Sequence, residues 1–364
     1  MVRRKTALIL LFLLFLSVEQ VESQVKEATD KEKKVRIIPI PALFYTPETR
    51  LGYGALATAL FNLGDITNTR NSNIQGLAAY TLNDQIILQL SHTVFLDKEK
   101  YIFNGDLNYF DFPIFYYGIG NDTNEDFEED LTYQVVEFRE TILKRVQQHF
   151  FAGIQYRYTD LWDLEYNPEF LIEDSDLLNA GAGKNSGIGF SLVYDNRDNV
   201  LNATKGAFLN LSSFYHGKAI GSDFIYNRYT LDLRKYVRLN EKSVLAGQFF
   251  GEFNTSNTPF REMALLGGDM IMRGYYNGRY RDNQQMALQS EYRYQLNSWI
   301  GFTGFAAVGD VATDFGSFDF SAFKWSAGGG LRLMVNKEDR ANVRIDYGIG
   351  NGTSGFYFAF TEAF

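Results

Sequence analysis

From Val35 to Phe364 apolar and polar residues alternate with a period of two, the mark of strands whose successive side chains point to opposite faces. Between Gln285 and Leu296, one face carries Met286, Leu288, Tyr292, Tyr294 and Leu296, with Ser290 as its single polar interruption. The other carries Gln285, Gln289, Glu291, Arg293 and Gln295. Ala341 to Ile349 repeats the pattern, with Val343, Ile345, Tyr347 and Ile349 set against Asn342, Arg344, Asp346 and Gly348. Phe323 to Val335 does so again, with Trp325, Leu331, Leu333 and Val335 opposed to Lys324, Ser326 and Arg332. About sixteen such segments run from 36–45 to 355–364, among them 101–109, 132–144 and 150–161.

Alternation alone fits a soluble sandwich as well as a barrel. Three features favour the barrel. Aromatic residues gather at strand ends, strand lengths near ten residues suit a tilted membrane crossing, and the polar faces carry fixed charges suited to a wet lumen. The expected fold is therefore all-β, a 16-stranded antiparallel transmembrane β-barrel over residues 35–364, with an even strand number and both termini on the periplasmic side. The long connections 110–131, 162–183 and 253–283 would be extracellular; the short ones Leu96–Lys100, Val146–His149 and Asn336–Arg340 would be periplasmic. Segments 62–72 and 196–205 break this rule by being long on the periplasmic side.

Composition sharpens the picture. The 364 residues include 32 Phe, 23 Tyr and 3 Trp but no Cys, which excludes a disordered chain and a disulfide-stapled scaffold. A net charge of -9 offers no basic face for nucleic acid. Only the N-terminus is continuously apolar: Arg3, Arg4 and Lys5 precede the run Ala7–Leu16, and Val21-Glu22-Ser23 follows. This reads as a secretory signal ending near residue 23, the alternative being a membrane anchor, for which the run is short. Residues 24–34 are a charged, solvated lead-in.

Gly355 to Phe364 places Phe356, Phe358, Phe360 and Phe364 on one face of a last strand. A chain ending in Phe after alternating aromatics is a signal for the outer-membrane assembly machinery, which captures strands by edge pairing. At the other end, Pro39 and Pro41 flank Ile40, so one edge of the first strand lacks two neighbouring donors. If that edge meets the last strand, the closing seam is weak; alternatively the prolines precede the membrane segment.

The stretch Leu266-Gly-Gly-Asp-Met-Ile-Met-Arg-Gly-Tyr-Tyr276, then Gln289-Ser-Glu-Tyr-Arg293, resembles the BamA/TamA-type superfamily of outer-membrane assembly and translocation barrels, also called the bacterial surface antigen family. Tyr194-Asp-Asn-Arg-Asp198 with Lys205-Gly206, Tyr45-Thr-Pro-Glu-Thr49 with Gly52 and Gly54, and Arg344-Ile-Asp-Tyr-Gly348 agree with it in order. The resemblance covers essentially the whole mature chain. It implies that Arg273-Gly274-Tyr275 forms the tip of a sixth extracellular loop folded into the lumen. There Arg273 would need a carboxylate, because a desolvated guanidinium must be paired, and Gly274 would let the tip turn. The inward faces offer Glu291 and Asp346, with Asp310 at a strand end less suited. Family members usually have an acidic residue on the thirteenth strand, where this chain has Ala307. The alternative is an Arg in a solvated loop.

The resemblance further implies insertion or translocation of proteins or lipids without chemistry or cofactor, with outer-membrane lipids, lipopolysaccharide, the assembly machinery and client proteins as partners. The short lead-in leaves no room for periplasmic POTRA domains, so client capture is expected to need a separate periplasmic partner. The competing reading is a passive pore or structural surface barrel. His92, His149 and His216 are isolated in sequence and form no pattern with a nucleophile, so no enzyme and no metal site is expected. The acidic run between Asn121 and Asp130 would be either a divalent-ion contact among lipopolysaccharide head groups or a solvated loop.

Overall fold

The computed structural model describes residues 35–46, 50–64, 69–82, 84–96, 98–124, 128–165, 182–255, 258–337 and 340–364. The signal and the lead-in, residues 47–49 and residues 125–127 of the acidic run lie outside them. The strands are β1 (Arg36–Thr46), β2 (Arg50–Phe61), β3 (Ser72–Thr81), β4 (Ile86–Leu96), β5 (Tyr101–Tyr116), β6 (Glu129–Gln147), β7 (Phe150–Glu165), β8 (Gly183–Asp195), β9 (Gly206–His216), β10 (Tyr226–Arg238) and β11 (Ser243–Asn254). They continue as β12 (Ala264–Leu266), β13 (Tyr280–Asp282), β14 (Gln284–Gln295), β15 (Ile300–Ala312), β16 (Lys324–Asn336), β17 (Ala341–Gly350) and β18 (Ser354–Phe360). Among the described residues sixteen of these form one antiparallel sheet in chain order, while β12 and β13 make a small ribbon inside the β11–β14 connection.

The sheet is the wall of a barrel turned inside out relative to a soluble protein. On β14, Gln285, Gln289, Glu291 and Arg293 are buried, whereas Leu288 is 56% and Tyr292 46% exposed. A soluble fold would not leave such a wall of Leu, Phe and Tyr in water; a hydrocarbon surround accounts for it. Aromatic pairs mark both ends of the apolar band, Phe150 with Tyr194 at one end and Tyr109 with Trp162 at the other, with ring centroids 4.7 and 6.4 Å apart.

Two expectations change. The connection 110–131 is shorter than its composition suggests, because β5 runs to Tyr116 and β6 starts at Glu129. Tyr116, Leu131, Tyr133, Val135, Leu161 and Phe260 pack there as an apolar cluster at one mouth of the lumen, and burying these side chains is what extends the strands. The terminal strand, in contrast, stops early. Phe356 and Phe358 are 70% and 64% exposed on the outer wall, but Thr361 takes a φ of 73° and swings the chain inward. Phe364 therefore leaves the face of Phe356, Phe358 and Phe360. It is buried among Ala203, Tyr236, Ala246 and Ala363, while its backbone oxygen accepts from Arg293 at 2.8 Å.

Candidate functional site

The β11–β14 connection lays Arg273-Gly274-Tyr275 against the charged faces of β14 to β18. Arg273 is 1% exposed. Its Nη1 donates to Asp346 at 2.6 Å, and its Nη2 lies 3.1 Å from Glu291 as an ion pair without hydrogen-bond alignment. The guanidinium also stacks on Phe305 of β15, 3.6 Å from the ring centroid. Phe305 lies two positions before Ala307, which is buried in the apolar cluster around Tyr275. Thus the loop meets an aromatic face on β15 and finds its carboxylates on β14 and β17.

These carboxylates are shared. Asp346 also binds Arg332 at 2.5 Å and Arg344 at 3.0 Å; Glu291 also binds Arg293 at 3.0 Å and Arg332 at 3.5 Å. Arg332 reaches Glu362 of the inturned C-terminal segment at 2.7 Å, and Arg344 reaches Asp269 of the loop at 2.7 Å. Four guanidiniums and four carboxylates therefore form one chain from the loop tip to the C-terminal segment. Such a network suits a buried site because each charge except the half-exposed Asp269 has more than one opposite partner. Asp310 is not part of it: it sits at the end of β15, where Asn121 donates to it at 2.9 Å.

Glycine supplies the floor. Gly274 has a φ of 120°, and a Cβ there would stand 2.7 Å from the Ile349 carbonyl carbon. On β17, a Cβ on Gly348 would come 2.7 Å from the backbone of Arg273, and one on Gly350 would come 2.5 Å from the Tyr275 ring. The bare backbone of β17 is thus what lets the loop lie flat on the wall. The Tyr275 hydroxyl donates to the Trp325 carbonyl at 2.9 Å and accepts from the Asn351 amide at 2.9 Å. Tyr357, on the inner face of β18, accepts from the Gly274 amide at 2.8 Å and donates to the Tyr275 carbonyl at 3.0 Å.

Sequence reasoning missed Tyr357, Phe305, Arg332 and the glycines of β17. Alternation put Arg332 and Gly348 on polar faces, and nothing local marked any of these residues out from the rest of their strands.

The prolines lie within β1. In its ladder to β2, Pro39 stands opposite Ala57 and Pro41 opposite Ala55. Among the described residues no strand ladder joins β1 to β18.

The histidines lie apart from one another. His92 meets Glu140 at 3.3 Å over Gly105, His149 lies beside Tyr194, and His216 stacks on Tyr226. In the acidic run, Glu128 accepts from the Tyr117 hydroxyl at 2.6 Å. Among the described residues no three His, Asp or Glu side chains cluster as metal ligands.

A model of the Omp85 superfamily domain matches residues 51–364. The chain belongs to the Omp85 superfamily. This places it among outer-membrane barrels of protein insertion and translocation. A search of curated proteins finds no match. Among solved structures, a BamA from Haemophilus ducreyi lacking POTRA domains 1–3 shares 15% identity at a TM-score of 0.57, over 95% of this chain and 77% of that one. CdiB from Escherichia coli shares 10% at 0.59, over 92% and 62%, and CdiB from Acinetobacter baumannii 13% at 0.54, over 86% and 55%. The chain thus spans under two thirds of either CdiB. At these identities the likeness is one of fold.

Proposed function

We propose that this Omp85 barrel inserts or translocates proteins, or lipids, at the outer membrane by switching its lumen loop and the edge between β1 and β18 together. The supporting observation is the double role of Tyr357: one side chain on the terminal strand holds both Gly274 and Tyr275 of the loop. While the loop is docked, β18 is held against it. When the loop leaves, Tyr357 is freed and the edge of β18 becomes available to a client strand, with β1 a poor competitor because Pro39 and Pro41 remove two donors from the facing edge. The step needs no bond chemistry. In this reading the termini and the short turns face the periplasm, and the β11–β14 connection enters from the cell surface. Clients and lipopolysaccharide are the partners expected at the edge.

The chain has no native cysteine, so a disulfide between Ile40→Cys and Phe360→Cys tests the idea. The oxidised barrel should lose insertion or secretion of its clients and regain it on reduction; full activity when tied would remove the gate. The passive pore makes a different prediction in planar bilayers. A loop-plugged translocase should give low, flickering conductance, whereas a large steady channel would support the pore.

A further inference from the structure

The β15–β16 connection contains a tandem repeat that the lumen site does not use: Asp314-Phe-Gly-Ser-Phe318 followed by Asp319-Phe-Ser-Ala-Phe323. Each half folds as a single 3₁₀ turn. The Asp314 carboxylate accepts from the Gly316 amide and that of Asp319 from the Ser321 amide, both at 2.9 Å. The Ser317 and Ala322 amides bond back to the carbonyls of Asp314 and Asp319. Each turn thereby bonds two of its own amides and turns its apolar side chains outward. Phe315 is 68% and Phe320 75% exposed, the two most exposed aromatic rings of any loop among the described residues.

These rings continue the outer wall. Phe253, on the outward face of β11, lies 6.0 Å from Phe315; Phe315 lies 6.4 Å from Phe318, Phe318 6.3 Å from Phe323, and Phe323 5.0 Å from Phe320. Five rings thus form a ribbon that starts on the outward face of β11 at Phe253, which stands opposite Gln284 of β14 near the strand end. The Phe315–Phe253 contact sets the connection against the outer side of the wall at the end where β15 finishes. Water would meet bare Phe rings on that path. The acyl-chain boundary of a bilayer meets them favourably, while the wet interfacial layer beside it hydrates the backbone groups that the turns do not bond.

We propose that the Asp314–Phe323 double turn is a lipid anchor: Phe315 and Phe320 dip into the acyl-chain boundary of the leaflet at the end of the barrel opposite Phe364. The anchor fixes the depth of β15 and β16, the strands that carry Phe305 and Arg332 of the latch. It is independent of whether the lumen loop moves, so either idea can fail alone.

The cysteine-free chain allows a direct measurement. Phe320→Cys and Phe315→Cys would each carry a nitroxide, with the full mature barrel reconstituted in dioleoylphosphatidylcholine vesicles. Collision rates with oxygen, which concentrates in lipid, and with a neutral nickel chelate, which stays in water, are then compared. Phe302→Cys on the outer wall serves as lipid reference and Asn297→Cys in an exposed turn as water reference; retention of the unheated folded band on SDS electrophoresis qualifies each variant. Both loop labels should share the oxygen preference of Phe302→Cys. A nickel preference like that of Asn297→Cys would overturn the proposal, as would protection from both reagents, which would mean that a second copy or another protein covers the rings. If either cysteine variant does not fold, Phe320→Trp in a chain with Trp162, Trp299 and Trp325 replaced by Phe gives the same decision. Quenching by bromine-labelled acyl chains supports the anchor, and unquenched emission overturns it.

Discussion

Replacing Arg273 by alanine should release the β11–β14 loop from the wall without unfolding the barrel. The substitution removes one charged hydrogen bond to Asp346 and the stacking on Phe305, but it orphans no carboxylate. Asp346 keeps Arg332 and Arg344, and Glu291 keeps Arg293 and Arg332. A charged hydrogen bond contributes about 1.5–3 kcal/mol and a buried cation–π contact about 1–2. A net loss of about 3 kcal/mol in loop docking follows, roughly a hundredfold shift toward the released loop. Asp346→Asn should cost more, about 3–5 kcal/mol, because three guanidiniums lose their common partner inside the wall. The measurement is maleimide labelling of a single cysteine at Met272, which is fully buried in the docked loop. Labelling should accelerate about a hundredfold with Arg273→Ala, by the docking loss just given, and further with Asp346→Asn, while heat-modifiable mobility on SDS electrophoresis stays that of a folded barrel. Unchanged labelling in Arg273→Ala would refute the latch; faster labelling in Arg273→Ala than in Asp346→Asn would refute the shared-carboxylate argument.

Tyr357→Phe removes the bonds to Gly274 and Tyr275 and should weaken loop docking by about 1–2 kcal/mol, read by the same labelling. Phe364→Ala empties a buried site and should lower barrel stability by about 3 kcal/mol, seen as a lower midpoint of the gel-mobility transition, whereas Phe356→Ala on the outer wall should change it little. In the 196–205 turn, burial alone would raise the Asp198 carboxyl. Hydrogen bonds from the Thr204 hydroxyl, the Arg340 guanidinium and the Thr204 and Lys205 amides overcome this and hold it at about 2. Because the folded value is depressed, the stabilisation is complete above the ordinary carboxyl range and is lost as pH falls toward 2. Amide-exchange protection of that turn should fall in acid, and Asp198→Asn should abolish the pH dependence; an unchanged acid profile in the variant would count against the assignment.

The strand pattern was readable from the chain because its cause is local. A strand between lipid and lumen must alternate, and Gln285 to Leu296 does so residue by residue. The same rule misled at Phe364. Continued alternation put it on the outer face, but the positive φ at Thr361 and the buried site beside Tyr236 turn it inward. The 110–131 segment failed for a related reason: whether Tyr116 and Leu131 end a loop or extend two strands depends on Phe260, which arrives from more than a hundred residues away.

The site divides in the same way. An Arg-Gly-Tyr tip and a short set of inward carboxylates could be named from residue order, since any desolvated guanidinium must find an acid. Which acids, and what else holds the loop, depended on closing distances across strands far apart in sequence. Arg273 meets Asp346 across 73 positions, and Gly274 meets Tyr357 across 83. Alternation determines which way a side chain faces; only the curvature of the wall and the path of the loop decide what it faces.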